Sequence, residues 1–148
     1  MTEPCSMLLS TNVGSHIFRK SKRFLLMGSC LLKEHPEIVE KYAKDRVCLH
    51  VCLEAHHMNM AETKLACLIK LHEPTELMVL TVDGSPHCLQ LHVIAEDMRR
   101  YFNLGTSIQH IVIEHGSTCV ISGVAVKTAR HLHKVQQLID QQKPANPS

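Results

Sequence analysis

The sequence predicts an α/β protein: a single domain built as a three-layer stack, with a parallel, mixed-edge sheet between flanking helices. Three observations carry this. Apolar runs at 23–29, 47–53 and 76–82 are each succeeded by a segment of helical periodicity, and that β-α-β-α-β-α alternation is what a helix-covered parallel sheet requires. The runs are continuously apolar, as strands buried on both faces are. The 148 residues, 45 % of them hydrophobic, match one compact domain with a substantial core.

Taken in chain order, residues 1–20 lack sustained periodicity and read as a flexible lead-in to a domain spanning 21–142. "FRKSKR" at 18–23 reads as a solvated basic segment rather than a nucleic-acid patch. "RFLLMGS" (23–29) is the first buried strand, closed by Gly-Ser. "PEIVEKYAKD" (36–45) is a helix with Pro36 near its start. "VCLHVCL" (47–53) is the second strand. "NMAETKLACLIKLHE" (59–73) is a helix, with Asn59 as expected N-cap and Glu62 completing a capping box. Its Ala61, Leu65, Leu68, Ile69 and His72 share one face.

"ELMVLTV" (76–82) is the third strand. A helix from Pro86 to about Phe102 turns Leu91, Ile94, Ala95, Met98 and Phe102 inward. "QHIVIEHGSTCVIS" (109–122) reads as a hairpin around "EHGS" that adds an antiparallel edge. "GVAVKTARHLHKVQQLIDQQ" (123–142) reads as one helix with Ala125, Ala129, Leu132, Val135 and Ile139 aligned. Residues 143–148 read as a disordered tail.

Composition narrows the function classes. There is no Trp, two Tyr and three Phe, so stacking surfaces for bases are scarce, and the net charge is only +2. Both argue against nucleic acid as a partner. No apolar run approaches the roughly 20 residues of a membrane span, and the N-terminal segment does not read as a secretory signal. Twelve His and seven Cys are the unusual counts. An odd number of Cys without a signal peptide argues against a disulfide framework and for a reducing, cytoplasmic setting.

Position gives those residues their interest. In sheets of this class, ligands bind beyond the carboxyl ends of the strands. Cys30 stands after the first strand, Cys52, His56 and His57 after the second, and His87, Cys88 and His92 after the third. Right-handed crossovers bring these strand ends to one edge. In "TVDGSPHCLQLH" (81–92), Ser85 is the expected N-cap and Pro86 suits the first helical position. His87 and Cys88 then fall in the first turn, where free N–H groups and the helix dipole favour a thiolate. His92 lies four residues beyond Cys88, on the same helical face.

Such a set suits two chemistries. Thiolates with an imidazole bind soft metals: Cys30, Cys52 and Cys88 are the expected metal ligands, with His56, His57 or His87 as the fourth. A thiolate beside a base also supports catalysis, with Cys88 as nucleophile and His92 or His87 as base. The plain alternative for each thiol is an inert residue of the core. Cys48 and Cys67 read as packing residues, Cys119 lies in the hairpin and Cys5 in the lead-in. His131 and His133 read as part of a solvated basic helix face.

Stock motifs are lacking. There is no CxxC, no GxGxxG and no P-loop. "VCLHVC" on a strand puts its two thiols on one face about 13 Å apart, too far for a chelate.

The stretch "MVLTVDGSPHCLQLHVIAEDMRRYF", with Cys30 and Cys52 after the preceding strands, resembles the small iron-sulfur (delta-type) subunits of hydrogenase and heterodisulfide reductase systems. The resemblance spans roughly residues 23–102. It implies a small α/β protein that holds an iron-sulfur cluster and passes electrons to a redox partner protein. The cysteine pairs of that family are missing here, so the chain supplies three thiolates and a fourth ligand falls to a His. The leading expectation is thus a metal or iron-sulfur binding electron-transfer protein, with zinc as the other metal the ligands would suit. A cysteine-dependent sulfur-transfer or thiol enzyme, or a non-catalytic interaction module, are the alternatives.

Overall fold

The computed structural model describes residues 5–103 and 105–142. Among the described residues, six strands lie in one sheet: β1 (Cys5–Met7), β2 (Arg23–Gly28), β3 (Val47–Val51), β4 (Glu76–Val82), β5 (Ser107–Glu114) and β6 (Ser117–Ile121). The helices are α1 (Leu31–Glu34), α2 (Pro36–Ala43), α3 (Met58–His72), α4 (Pro86–Tyr101), α5 (Gly123–Ala129) and α6 (Leu132–Gln142). The strand order is β1-β3-β2-β4-β5-β6, parallel throughout except for β6. The three strands expected from the apolar runs are indeed parallel neighbours, with Leu26 opposite Leu49 on one side and Val79 on the other.

The continuous apolar runs are explained by burial on both faces. Phe24 and Leu26 of β2 join a core with Leu65, Leu68 and Ile69 of α3 and Leu91, Ile94 and Met98 of α4. Leu25 and Met27 join a second core with Leu31 of α1 and Val39 and Ala43 of α2. At the amino end of the sheet, Arg23 and Arg46 both donate to Glu76 Oε2, at 2.9 and 3.0 Å. Burial works against the Glu76 charge, but the hydrogen bonds and charges of Arg46 and Arg23 outweigh it and hold the carboxyl below its ordinary range.

After β2 the chain crosses to β3 on one side, then passes back over β2 through α3 to β4 on the other. The winding therefore reverses between β2 and β4. Helices leave this point toward opposite faces, which opens a crevice beyond the carboxyl ends. The hairpin is also as expected. Register pairs Glu114 with Ser117, leaving His115 and Gly116 as a two-residue turn, both with positive φ (49° and 78°). That is the combination a type I′ turn demands.

Several expectations are corrected. Residues 5–20 are not a loose lead-in: Cys5–Met7 pairs in parallel with β3, and a 3-10 helix at His16–Arg19 buries Phe18. Cys48 is not merely a packing residue. It forms a disulfide with Cys5, the residue directly opposite it across the β1–β3 pair. An odd cysteine count leaves at least one thiol unpaired but does not forbid pairing. Cys67 is exposed rather than packed. The N-cap of α3 is His57, whose Nδ1 accepts from the Asn59 N–H, so the Asn59–Glu62 capping box does not form.

The C-terminal helix is two helices. The Arg130 and His131 N–H groups donate to the carbonyls three residues back, closing α5. Those tighter turns shift the phase of the next helix. No residue of α6 is buried, and Leu132 and Ile139 are exposed rather than inward. The expected tail at 143–148 lies outside the described residues.

The disulfide makes a simple prediction. Alkylation of the unfolded, unreduced protein should modify five cysteines, and seven after reduction, counted by mass spectrometry. Reduction should lower stability by about 2–4 kcal/mol in urea denaturation, because the bond closes a long loop of the unfolded chain. Seven modified cysteines without reductant would refute the pairing.

Candidate functional site

The crevice at the β2/β4 reversal is lined by the turns that leave three strands. After β2, the Ser29 N–H donates to the Val51 carbonyl and Ser29 Oγ lies 2.8 Å from His50 Nδ1, tying the turn to β3. Cys30 comes next and starts α1, held in place by the fully buried Leu31. After β3, Cys52 opens a turn in which its carbonyl accepts from the His56 N–H at 2.9 Å. After β4, Gly84 takes φ 91°, a conformation that favours glycine. Ser85 then caps α4, its Oγ accepting from the Cys88 N–H, and Pro86 occupies the first turn as expected.

Cys30, Cys52, Cys88 and His87 all line one cavity of about 260 Å³, with Glu34 and Glu54 at its margin and Val51, Leu53 and Leu91 as apolar wall. Cys30 is exposed, and Cys52 and Cys88 are partly so. Desolvation first, then the charges of Cys88, Glu34 and Cys52, push the Cys30 thiol above its ordinary range. Cys88 and Cys52 are thus close enough to oppose the ionisation of Cys30. The thiols do not converge on a point: among the described residues, no three His, Cys, Asp or Glu side chains form a group able to hold a metal ion.

The other expected residues lie elsewhere. His56 and His57 sit on an adjacent depression, which they share with His87 and Gln90. His57 is further engaged as the cap of α3. His92 is not placed to serve Cys88. Both its nitrogens are committed elsewhere: Nε2 is 2.8 Å from Thr81 Oγ1, and Nδ1 is 2.9 Å from His110 Nδ1.

His92 belongs to a buried chain that sequence reasoning missed. His110 Nε2 lies 2.6 Å from Glu96 Oε2, and Arg99 donates to Glu96 Oε1 at 3.1 Å. The chain Thr81–His92–His110–Glu96 therefore links β4, α4 and β5. All four residues are buried, and no buried side-chain nitrogen or oxygen among the described residues lacks a partner. The signal was present but weak: His92 and Glu96 stand four apart on the helix, and His110 interrupts an apolar strand. Burial first, and then the nearness of His110, hold the His92 pKa down at about 3.

A family model described as a Rossmann-like domain matches residues 17–146. The match covers most of the chain, the parallel sheet and its reversal point agree with it, and the chain belongs to that family. No curated protein sequence and no solved structure gives a significant match to the chain. Among the described residues, no helix is long and apolar enough to cross a membrane.

The buried chain predicts an acid-sensitive fold. A free imidazole takes up its proton near pH 6.5, whereas His92 in the fold stays neutral down to about pH 3. Between those limits the unfolded state holds the extra proton, so His92 makes stability fall as pH falls, by up to about 1.4 kcal/mol per unit. In urea denaturation between pH 4 and 7, His92→Gln should flatten that slope. An unchanged slope in the variant would show that the acid sensitivity arises elsewhere.

Proposed function

We propose that the crevice at the β2/β4 reversal holds an iron-sulfur cluster and that the protein transfers electrons to a partner. The observation that carries this reading is that four soft donors, Cys30, Cys52, Cys88 and His87, line one cavity at the point where this class of sheet binds its ligands. The resemblance of residues 23–102 to delta-type subunits points the same way. A single zinc ion is a poorer fit, because it needs four donors at about 2.0–2.3 Å from one centre and the thiols do not converge. A cluster is a body of several atoms, and its ligands stand around it rather than meeting at a point.

When bound, such a cluster supplies one-electron transfer at a potential set by its ligands and surroundings. The chain's own contribution is to arrange donors and environment. A Cys30 thiol that resists ionisation is relieved by a cation, and loading would release thiol protons. His87 supplies a neutral donor. Val51, Leu53 and Leu91 limit solvent, and Glu34 and Glu54 add negative charge, which favours the oxidised state. The five free thiols suit a cytoplasmic setting, and the Cys5–Cys48 bond, buried at both ends, is sheltered from reductants.

A second reading has its own support. Cys88 sits in the first turn of a 16-residue helix, and of all neighbouring charges Cys88 weighs most on Cys30. In thiol–disulfide exchange, the Cys88 thiolate would attack one sulfur of a substrate disulfide, forming a mixed disulfide as the other sulfur leaves as thiolate. Cys30 would then attack Cys88, closing Cys30–Cys88 and releasing the second thiolate. The substrate disulfide is the oxidant.

Metal analysis decides between them. Protein purified or reconstituted without oxygen should carry iron and acid-labile sulfide with visible charge-transfer absorption, and Cys52→Ala or Cys88→Ala should lose both. Protein free of iron and sulfide after reconstitution would overturn the cluster. If that protein formed a Cys30–Cys88 bond with oxidised glutathione, seen by peptide mapping, exchange would take its place.

A further inference from the structure

A second cavity lies beside the thiol cavity, and Val82 and Ser85 line both. It encloses about 470 Å³ between the amino end of α4, the helix α5 and the strands β4 to β6. Its wall is mainly apolar, with Leu89, Val112, Ile121 and Val126 prominent, and two small residues of α5, Ala125 and Ala129, leave the space open. Its polar groups are few: Thr81 and His92 at the base, and Asp83 and Ser85 in the turn. A largely apolar cavity of this size with a few convergent polar groups is the usual form of a small-molecule site.

The proton arrangement at the base determines what those groups accept. Thr81 has one hydroxyl proton and two places to send it: His92 Nε2 at 2.8 Å, or the Val82 carbonyl at 2.9 Å. In the first case the chain runs one way. Thr81 donates to His92 Nε2, His92 Nδ1–H donates to His110 Nδ1, and His110 Nε2–H donates to Glu96, which Arg99 also holds. In the second case His92 Nε2–H donates to Thr81. Either way the hydroxyl proton is committed inside the protein, and a lone pair of Thr81 Oγ1 remains. His92 has no free nitrogen. Ser85 Oγ accepts from the Cys88 N–H and keeps its hydroxyl proton to donate, while the Asp83 carboxylate accepts only.

We propose that this cavity binds a small hydrophobic molecule that presents a hydrogen-bond donor, an alcohol or an amine, to Thr81 Oγ1. The apolar body fills the space over Ala125 and Ala129. The buried chain to Glu96 fixes the orientation of the Thr81 oxygen, so the donor meets a group that needs no reorganisation. Molecules that offer only acceptors find no complement at that oxygen and gain nothing from it. Val82 and Ser85 line both this cavity and the thiol cavity, but the proposal does not rest on what the thiols bind.

Benzyl alcohol, benzylamine and toluene are suitable probes, since they share a ring and differ in the donor. Titration monitored by amide NMR shifts should be saturable at Gly84, Leu89 and Val126. Thr81→Val should lower the ratio of benzyl alcohol to toluene affinity about tenfold, the loss of roughly one neutral hydrogen bond. Ala129→Leu, which fills the cavity without touching the buried chain, should remove saturable binding of all three while the fold is kept. Asp83→Asn separates the two donor types: a loss confined to benzylamine assigns a cationic amine, and equal retention assigns an alcohol. An unchanged ratio in Thr81→Val, or intact binding in Ala129→Leu, overturns the proposal, as does the lack of saturable shifts in the unmodified protein.

Discussion

Strand β2 has neither a free edge nor a free face, and the rest of the molecule is arranged around that fact. Its backbone pairs with β3 on one side and β4 on the other, and Phe24, Leu25, Leu26 and Met27 are fully buried, two toward each helical layer. Both of its neighbours, β3 and β4, follow it in the chain, so one crossover runs out on one side and the next returns over it. The reversal is the result, and with it the crevice at the carboxyl ends. Because β2 is rigid, the turn after it presents Cys30 at a set place, and the neighbouring strands bring Cys52 and Cys88 to the same cavity.

Helix α4 serves both sites. Its amino end carries His87 and Cys88 toward the thiol cavity. Its inner face carries His92 and Glu96 toward β5, where His110 completes a buried polar chain. Buried polar groups are costly unless every one is partnered, and among the described residues they are. A satisfied chain of this kind permits few alternative placements, so it specifies how α4 docks in a way that leucines and isoleucines on the same face would not. The orientation of Cys88 and His87 therefore rests partly on groups that never touch the thiol cavity.

The three thiols line one cavity, where Cys88 and Cys52 both oppose the ionisation of Cys30. The contrast with Cys5 and Cys48 is instructive. Those two face each other across paired strands, inside the second core, and bond to one another. Sulfur thus serves as a cross-link where the sheet register aligns two cysteines, while Cys30, Cys52 and Cys88 at the carboxyl edge stay free.

Much of this was legible in the sequence because its cause is local or periodic. Doubly apolar runs identified β2, β3 and β4, the Ser85-Pro86 pair marked the start of α4, and His115-Gly116 marked the turn of the hairpin. Winding rules were enough to gather Cys30, Cys52 and Cys88 at one edge. What the sequence could not settle depends on direction through space. The i,i+4 spacing put His92 on the face of Cys88, yet small rotations along a helix separate such residues, and packing against β5 turned His92 to Thr81 and His110. The pairing of Cys5 with Cys48 needed the register of a three-residue edge strand too short to carry a pattern. The break at Arg130 and His131 needed two tight turns that no glycine or proline announces. In each case the deciding partner is distant in the chain or the deciding turn carries no local signal, and only the packed sheet and helices determine which groups meet.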